Sequence, residues 1–305
     1  METYPHIYPD LRSYMAGTDA ERIRESARDR FIPYARADQI LTALQALLDY
    51  PSTLRPEHVL IVGDSSNGKS AILNEFRKRN AVRIDTTGAP ICPIISIEVP
   101  PRPTETFLYS LIIGACGVSH NSGMRVSDKH LHVLRCLQQC SARVLVIDEF
   151  ANIGNAKGNE ATILLDAIRS ISNQLRLSIV SAGVRSSINV VNYNSHMVTR
   201  FVPYHLPPWE YDDDYRTFLL TYEQLLLLRE PSGISDDDLS ATIYRMCDKN
   251  IGSTVRLLMK AAAHAITTGT ERITIELLKT MPYVGPRAVD TLTRHFRESP
   301  PEVPA

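Results

Sequence analysis

The stretch HVLIVGDSSNGKSAILNEF, residues 58–76, joins three patterns of different character. Residues 58–62 form an apolar run, which is typical of a strand that is buried on both faces of a sheet. A polar loop bounded by Gly63 and Gly68 follows, and apolar residues then recur at helical spacing. We therefore predict a buried strand, a tight loop and a helix in direct succession.

The loop of this stretch matches the pattern G-x-x-x-x-G-K-[ST]. In such a loop, backbone N–H groups and the positive end of the following helix surround the phosphates of a nucleotide. Lys69 is expected to contact the β- and γ-phosphates, and the Ser70 hydroxyl is expected to bind Mg²⁺. A solvent-exposed glycine turn would need neither the strand before the loop nor the helix after it. The predicted ATP-binding residues are Gly63, Asp64, Ser65, Ser66, Asn67, Gly68, Lys69 and Ser70.

A second apolar run, RVLVIDEF at residues 143–150, ends in two adjacent carboxylates. If its strand lies near the first one, Asp148 emerges beside the phosphate loop and joins Ser70 in holding Mg²⁺. Glu149 follows directly and is placed to orient and deprotonate an attacking water molecule. The pair therefore predicts ATP hydrolysis rather than ATP binding alone.

The chain changes character after residue 207. Short apolar runs alternate with helical patterns before that point, which is typical of an α/β domain with a parallel sheet flanked by helices. The pattern beyond it is helical, with Asp and Ser at the predicted helix starts. We predict an N-terminal arm at 1–35, an α/β ATPase domain at 36–207, a small helical lid domain at 208–282 and a flexible tail at 283–305.

Composition sets further bounds. The 305 residues include 33 Lys and Arg against 34 Asp and Glu, so any contact with nucleic acid depends on a local basic patch. No apolar run approaches the roughly 20 residues that a membrane-spanning helix needs, and the start of the chain lacks a signal-peptide pattern. These features favour a cytoplasmic protein without a membrane partner.

The five cysteines are odd in number and show no C-x-x-C spacing, which argues against a disulfide framework or a zinc knuckle. His132, Cys136 and Cys140 lie at helical spacing along one face, a pattern that also suits a metal site. Three ligands in a line rarely converge on one ion, and apolar residues surround them in the sequence. We therefore expect these side chains to pack in the core.

The order and spacing of these motifs resemble the AAA+ branch of P-loop ATPases. In that branch a polar residue on the strand after the Asp-Glu strand senses the γ-phosphate, and LSIVSAG offers Ser181 where Asn is more usual. The resemblance also implies that Arg200, in SHMVTRF, reaches the nucleotide of a neighbouring subunit. In NIGSTVRLL, Arg256 corresponds to the second sensor of the lid.

Residues 97–117, IEVPPRPTETFLYSLIIGACG, together with the motif order narrow the resemblance to the TniB/TnsC group of transposition regulators, which is related to MuB. The resemblance implies a bacterial ATPase that assembles as a ring or helical oligomer on duplex DNA. It would link a target-selection protein to a transposase, with hydrolysis releasing the assembly. The DNA-facing loops of the group imply backbone contacts from Arg102, Arg125, Lys129 and Lys157.

Two other functions share these motifs. A nucleotide-switched signalling scaffold would bind proteins and not DNA. A replication initiator or loader ATPase would use the same phosphate loop, although no helix-turn-helix pattern follows residue 282. DNA retention in the presence of ATP separates the scaffold from the other two functions.

Overall fold

The computed structural model describes residues 4–84, 86–88, 90–119, 121 and 123–285, with the side chain of Ser195 excepted. The described chain divides into two compact units. Residues 35–207 form an α/β unit, and residues 4–34 and 208–285 form a helical unit. The predicted tail at 283–305 lies outside the described residues from residue 286 onward.

A parallel sheet of five strands forms the centre of the α/β unit, which confirms the predicted fold class. Its order is β4-β5-β6-β1-β7, so β6 lies between β1 and β5. Two further short strands, β2 and β3, form a separate antiparallel pair. The strands are β1 (His58–Gly63), β2 (Arg83–Ile84), β3 (Pro90–Ile91), β4 (Ile94–Glu98), β5 (Val144–Asp148), β6 (Ser178–Gly183) and β7 (Phe201–Leu206).

The central strands β1 and β6 are buried along their whole length, as their continuous apolar runs predict. The α-helix α1 (Asp19–Ser26) belongs to the helical unit. The α/β unit also has a 3₁₀ helix at Phe150–Asn155. Its α-helices are α2 (Ala35–Asp49), α3 (Lys69–Arg79), α4 (Glu105–Ala115), α5 (Val126–Gln139), α6 (Glu160–Leu175), α7 (Ser187–Asn192) and α8 (Ser195–Val198).

The main core of this unit joins one face of the sheet to α4, α5 and α6. Cys136 and Cys140 are buried in it, with Cys92 and Cys116 packed against it, which confirms core packing for the cysteines. Burial raises the pKa of the Cys136 thiol. Within the part of the chain that the structure describes, no group of three or more His, Cys, Asp and Glu residues is arranged to hold a metal ion.

The helical unit contains a 3₁₀ helix at Pro9–Ala16 in addition to α1. Its C-terminal helices are α9 (Asp213–Glu223), α10 (Asp237–Cys247), α11 (Ile251–Thr268) and α12 (Ile275–Thr280). Their apolar faces form a core around Trp209, Tyr215 and Leu258. Side-chain caps start α9, α11 and α12, since Asp212, Asn250 and Thr274 each accept a backbone N–H.

The sequence pattern predicts a separate arm at residues 1–35, whereas the structure packs residues 4–34 into the helical unit. Arg22 of α1 has no exposed surface, forms an ion pair with Glu271 and donates two hydrogen bonds, of 3.0 and 2.8 Å, to Leu227 O. A charged stretch is typical of a solvated helix face, so the sequence pattern does not reveal that one arginine is buried. Its hydrogen bonds and ion pair offset the free energy of that burial.

Candidate functional site

The phosphate loop connects β1 directly to α3. A Cβ atom at Gly63 would lie 2.9 Å from both Cβ and O of Leu206, so β7 leaves no room for a side chain there. Gly68 has φ 91° and adopts the left-handed conformation that glycine favours. The loop therefore turns tightly enough for α3 to begin at Lys69.

Asn67 anchors this loop to the end of β7. Its Nδ2 donates hydrogen bonds of 3.0 Å to Leu206 O and 2.7 Å to Pro207 O, and the residue is only 2% exposed. The sequence motif assigns Asn67 to the loop, but nothing in the motif indicates that its side-chain amide donates hydrogen bonds to the end of the neighbouring strand. The contact holds the loop in place by bonds that are independent of a nucleotide.

Lys69 is 7% exposed and lies inside the loop. Its Nζ donates to Gly63 O at 2.9 Å and to Asp64 O at 2.7 Å. Burial lowers the pKa of this ammonium, while the nearby carboxylates of Glu149, Asp148 and Asp64 act in the opposite direction. The carboxylates thus favour a cation at the place where the motif puts the terminal phosphates.

Ser70 and Asp148 meet across the end of β6. The Ser70 hydroxyl donates a 2.7 Å hydrogen bond to Asp148 Oδ2, although β1 and β5 are not neighbours in the sheet. A hydroxyl and a carboxylate are oxygen ligands of the kind that Mg²⁺ binds, together with phosphate oxygens and water. The donor set therefore fits the predicted metal, and the structure brings its two members together.

Glu149 lies on a sharp turn at the carboxyl end of β5. It adopts a left-handed conformation with φ 52°, and its backbone N–H donates to Asp148 Oδ1 at 2.8 Å. This conformation is uncommon for a residue with a side chain, and such strain clusters at functional sites. Asp148 accepts the Ser70 hydrogen bond, so the exposed Glu149 carboxylate is the one available to accept a proton from water.

Three catalytic candidates remain: Ser181 on β6, Arg256 in the helical unit and Arg200 directly before β7. Ser181 has no exposed surface and pairs in register with Ile147, one residue before Asp148. Its hydroxyl has no hydrogen-bond partner among the described residues. Arg256 is exposed on α11 of the helical unit.

Arg200 lies at the amino-terminal ends of the sheet strands, whereas the phosphate loop lies at their carboxyl ends. It directly precedes β7, and its carbonyl accepts a 2.9 Å hydrogen bond from the backbone N–H of His58 at the start of β1. Its Nη1 donates to Asn173 Oδ1 at 2.6 Å. Since strands rise about 3.3 Å per residue, the six residues of β7 put Arg200 roughly 20 Å from the loop. Arg200 therefore cannot reach the nucleotide of its own chain in this arrangement.

One of the four candidate DNA contacts is corrected by the structure. Lys129 is 2% exposed, and its Nζ donates to Ser110 Oγ of α4 at 3.1 Å, so it cannot contact a DNA phosphate from this position. A lysine one turn into an amphipathic helix is expected at the surface, but α4 covers Lys129 in the structure. Arg102, Arg125 and Lys157 are exposed.

Among the described helices, none combines the length and the apolar character that crossing a bilayer requires.

Known proteins resemble this chain in sequence family and in fold. A model of the family described as "Bacterial TniB protein" matches residues 22–211, more than half of the chain. No match was found among curated proteins.

Solved structures show the same fold at low sequence identity. The Aeropyrum pernix ORC2 protein, solved in ADPNP–ADP complexes, has a TM-score of 0.63 and 15% identity, covering 84% of this chain and 70% of that chain. The A. pernix ORC1 protein in complex with DNA has a TM-score of 0.61 and 18% identity, covering 91% and 72%. The Walker-type ATPase of Pyrococcus abyssi has a TM-score of 0.54 and 15% identity, covering 88% and 77%.

The fold of these proteins, the phosphate loop and the Asp148–Glu149 pair together identify an ATP-using P-loop enzyme of the AAA+ type. The predicted resemblance to the TniB/TnsC group is confirmed by the family match. The chain therefore belongs to the TniB family and is an AAA+ ATPase.

Proposed function

We propose that this ATPase regulates DNA transposition by assembling as an oligomer on duplex DNA and linking a target-selection protein to a transposase. The TniB family match supports the transposition role. The main observation in support of ATP hydrolysis is the cluster of Ser70, Asp148 and Glu149, which are linked by hydrogen bonds, together with the buried Lys69. The proposed domains are the α/β ATPase domain at 36–207 and the helical lid at 208–282.

In the proposed mechanism, Lys69 exchanges its two loop carbonyls for phosphate oxygens and offsets their negative charge. Ser70 and Asp148 would hold Mg²⁺, which supplies positive charge to the phosphates when it is bound. Glu149 orients a water molecule and accepts its proton, so that hydrolysis limits the lifetime of the assembly. Arg256 is proposed as the sensor from the lid and Ser181 as the sensor within the sheet.

The position of Arg200 supports the proposed oligomer. Because this arginine lies roughly 20 Å from its own phosphate loop, we propose that it completes the ATP site of the next copy. ATP would then bridge two subunits, and bound nucleotide would favour assembly. Removal of the terminal phosphate would weaken the same contact.

Exposed basic residues would contact the DNA. Arg102 lies between β4 and α4, Arg125 precedes α5, and Lys157 lies between β5 and α6. Contacts to phosphate carry little sequence information and weaken as salt rises. This suits a protein that assembles on many target sequences. The DNA in the A. pernix ORC1 structure belongs to that protein, and here it supports only the possibility of a DNA complex for this fold.

The initiator or loader hypothesis has less support. The main observation in its favour is the similarity to the ORC proteins, and at 15–18% identity this similarity shows a shared fold but does not show a shared function. The ATP site is equally compatible with a signalling scaffold, because a nucleotide-dependent switch would use the same phosphate-binding motif. The TniB family match favours transposition over both.

Imaging and sedimentation with duplex DNA and a non-hydrolysable ATP analogue test the proposal. We expect ordered DNA-bound assemblies for the parent chain and none for Lys69→Ala. The transposase of the same element should then co-sediment with the assemblies and not with DNA alone. Failure of the parent chain to retain DNA at low salt would favour the scaffold, and retained DNA without the transposase would favour an initiator or loader.

A further inference from the structure

Four arginines lie along one edge of the central sheet. Arg143 directly precedes β5, Arg176 lies two residues before β6, Arg55 lies three residues before β1, and Arg200 directly precedes β7. These four strands are consecutive neighbours in the order β5-β6-β1-β7. Adjacent strands lie about 4.8 Å apart, so the four chain positions form a row at the amino edge of the sheet.

The guanidinium groups of this row are not neutralised by local carboxylates. None of the four arginines forms an ion pair within 4.0 Å in the part of the chain that the structure describes. Arg143 donates to Tyr50 O at 2.6 Å, and Arg200 donates to Asn173 Oδ1 at 2.6 Å. A guanidinium has five N–H donors, so these single bonds leave most of its hydrogen-bonding capacity for a ligand.

Two members of the row share one cavity. Arg55 and Arg200 line an open cavity of about 440 Å³, together with His196, Thr199 and Glu57. Two guanidinium groups face a single carboxylate there, so the lining is net positive at neutral pH. Arg143 and Arg176 line a different cavity of about 310 Å³, which also reaches Arg55. Arg55 is thus the residue that extends the positive surface around Arg200.

A phosphate group in this cavity cannot belong to a nucleotide bound by the same chain. The strand β1 runs for six residues from His58 to Gly63, which is roughly 20 Å at 3.3 Å per residue. The cavity lies at its amino end, and the phosphate loop lies at its carboxyl end. A nucleotide bound to the loop therefore cannot reach Arg55 of the same chain.

We propose that Arg55 acts together with Arg200 on the phosphates of ATP bound to a neighbouring copy of this chain. This inference rests on the proposed oligomer and adds a second arginine to its intersubunit site. Arginine suits the role because its planar fork binds phosphate oxygens in pairs. A concave cavity suits a compact triphosphate, whereas a duplex backbone would need a longer continuous surface.

Mixing two inactive variants tests the proposal. Arg55→Ala retains the phosphate loop, and Lys69→Ala retains both arginines, so only interfaces between the two carry a complete site. We expect Arg55→Ala alone to lose at least about tenfold in ATPase rate while each chain still binds ATP. An equal mixture with Lys69→Ala should regain activity, because Arg55→Ala supplies an ATP-bound phosphate loop and Lys69→Ala supplies the intact Arg55 and Arg200 of the neighbouring copy.

The control is Arg176→Asn, which removes a charge from the same row outside the cavity shared with Arg200. Arg176 has φ 53°, a conformation that Asn tolerates, so this variant should keep the fold and the parent ATPase rate. Retained ATP binding and partial activity of Arg55→Lys show that position 55 tolerates substitution. Parent-like activity of Arg55→Ala overturns the proposal. So does an Arg55→Ala mixture that fails to recover while the matching Arg200→Ala mixture recovers.

Running the mixtures with and without duplex DNA separates this inference from the proposed function. Recovery without any DNA binding would support the two-arginine site and remove the DNA-bound assembly. DNA-bound assemblies in which Arg55→Ala leaves the ATPase rate unchanged would support the proposed function and contradict the two-arginine site.

Discussion

Ser70 and Asp148 are 78 residues apart in sequence, yet their side chains form a 2.7 Å hydrogen bond over the end of β6. Parallel strands make this possible, because the carboxyl ends of β1, β6 and β5 share one edge. The edge collects the lysine, the hydroxyl and both carboxylates. The opposite ends of the sheet strands carry four arginines, and in the proposed oligomer two of them, Arg55 and Arg200, face the ATP of a neighbouring copy.

Replacing Glu149 with glutamine should separate ATP binding from hydrolysis. The amide keeps the size of the side chain but cannot accept a proton from water, so we expect phosphate release to fall by about 10²–10⁴-fold. ATP binding and DNA-bound oligomers should persist, since neither depends on that proton transfer. Phosphate release and sedimentation with DNA measure the two effects, and equal hydrolysis by variant and parent would remove Glu149 from its proposed role.

Replacing Lys69 with alanine should abolish ATP binding and, with it, DNA-bound assembly. The Lys69 ammonium lies in the loop, 2.9 and 2.7 Å from two carbonyl oxygens, and alanine has no charge to offset that of the phosphates there. The control is Lys78→Ala, an exposed lysine on the same helix. Retention of labelled ATP by Lys69→Ala at the parent level would contradict the expected binding mode.

The alternating pattern and the two motifs were sufficient to predict the sheet, the phosphate loop and the place of Asp148 at the carboxyl end of its strand, because local sequence specifies them. Contacts that depend on packing between distant segments were not predictable. The buried ion pair of Arg22 with Glu271 spans 249 residues, and the covering of Lys129 by α4 depends on how two helices pack. Arg55 resembles an ordinary surface arginine until the strand order places it next to Arg200.

Asn67→Asp should destabilise the α/β unit more than Asn67→Ala does. Aspartate keeps the shape of the side chain but turns a double donor into an acceptor that faces the carbonyls of Leu206 and Pro207. A buried polar group without a partner costs about 1–3 kcal/mol, and the charge adds to that. Denaturant unfolding measures the difference. A free energy of unfolding for Asn67→Asp equal to that of the parent would show that the anchor carries no stability.

Arg102→Ala and Lys129→Met should differ in their effect on DNA binding. If Arg102 contacts a phosphate, its loss should reduce the slope of log affinity against log salt by about one unit. Lys129 is buried against Ser110, so its replacement by an apolar side chain of similar length should leave that slope unchanged. Titrations at several salt concentrations give both slopes. A larger change for Lys129→Met than for Arg102→Ala would reverse the assignment.

His58 should make stability depend on pH. The residue has no exposed surface at the start of β1, and its Nδ1 accepts a 3.2 Å hydrogen bond from the backbone N–H of Ile179. Burial lowers the pKa of this imidazole to about 4 from its ordinary value of 6.5, and the nearby Arg200 acts in the same direction. The folded chain therefore holds His58 neutral at pH values where the unfolded chain protonates it.

Between pH 6.5 and about 4 the unfolded state binds the extra proton, so this contribution to stability is complete above pH 6.5 and is lost as the pH falls. The expected loss from His58 between pH 7.5 and pH 5 is about 2 kcal/mol, given 1.36 kcal/mol per pKa unit. His58→Gln has no imidazole to protonate and should show a free energy of unfolding that changes less over this interval. Identical changes in the parent and in His58→Gln would mean that protonation of this histidine does not destabilise the fold.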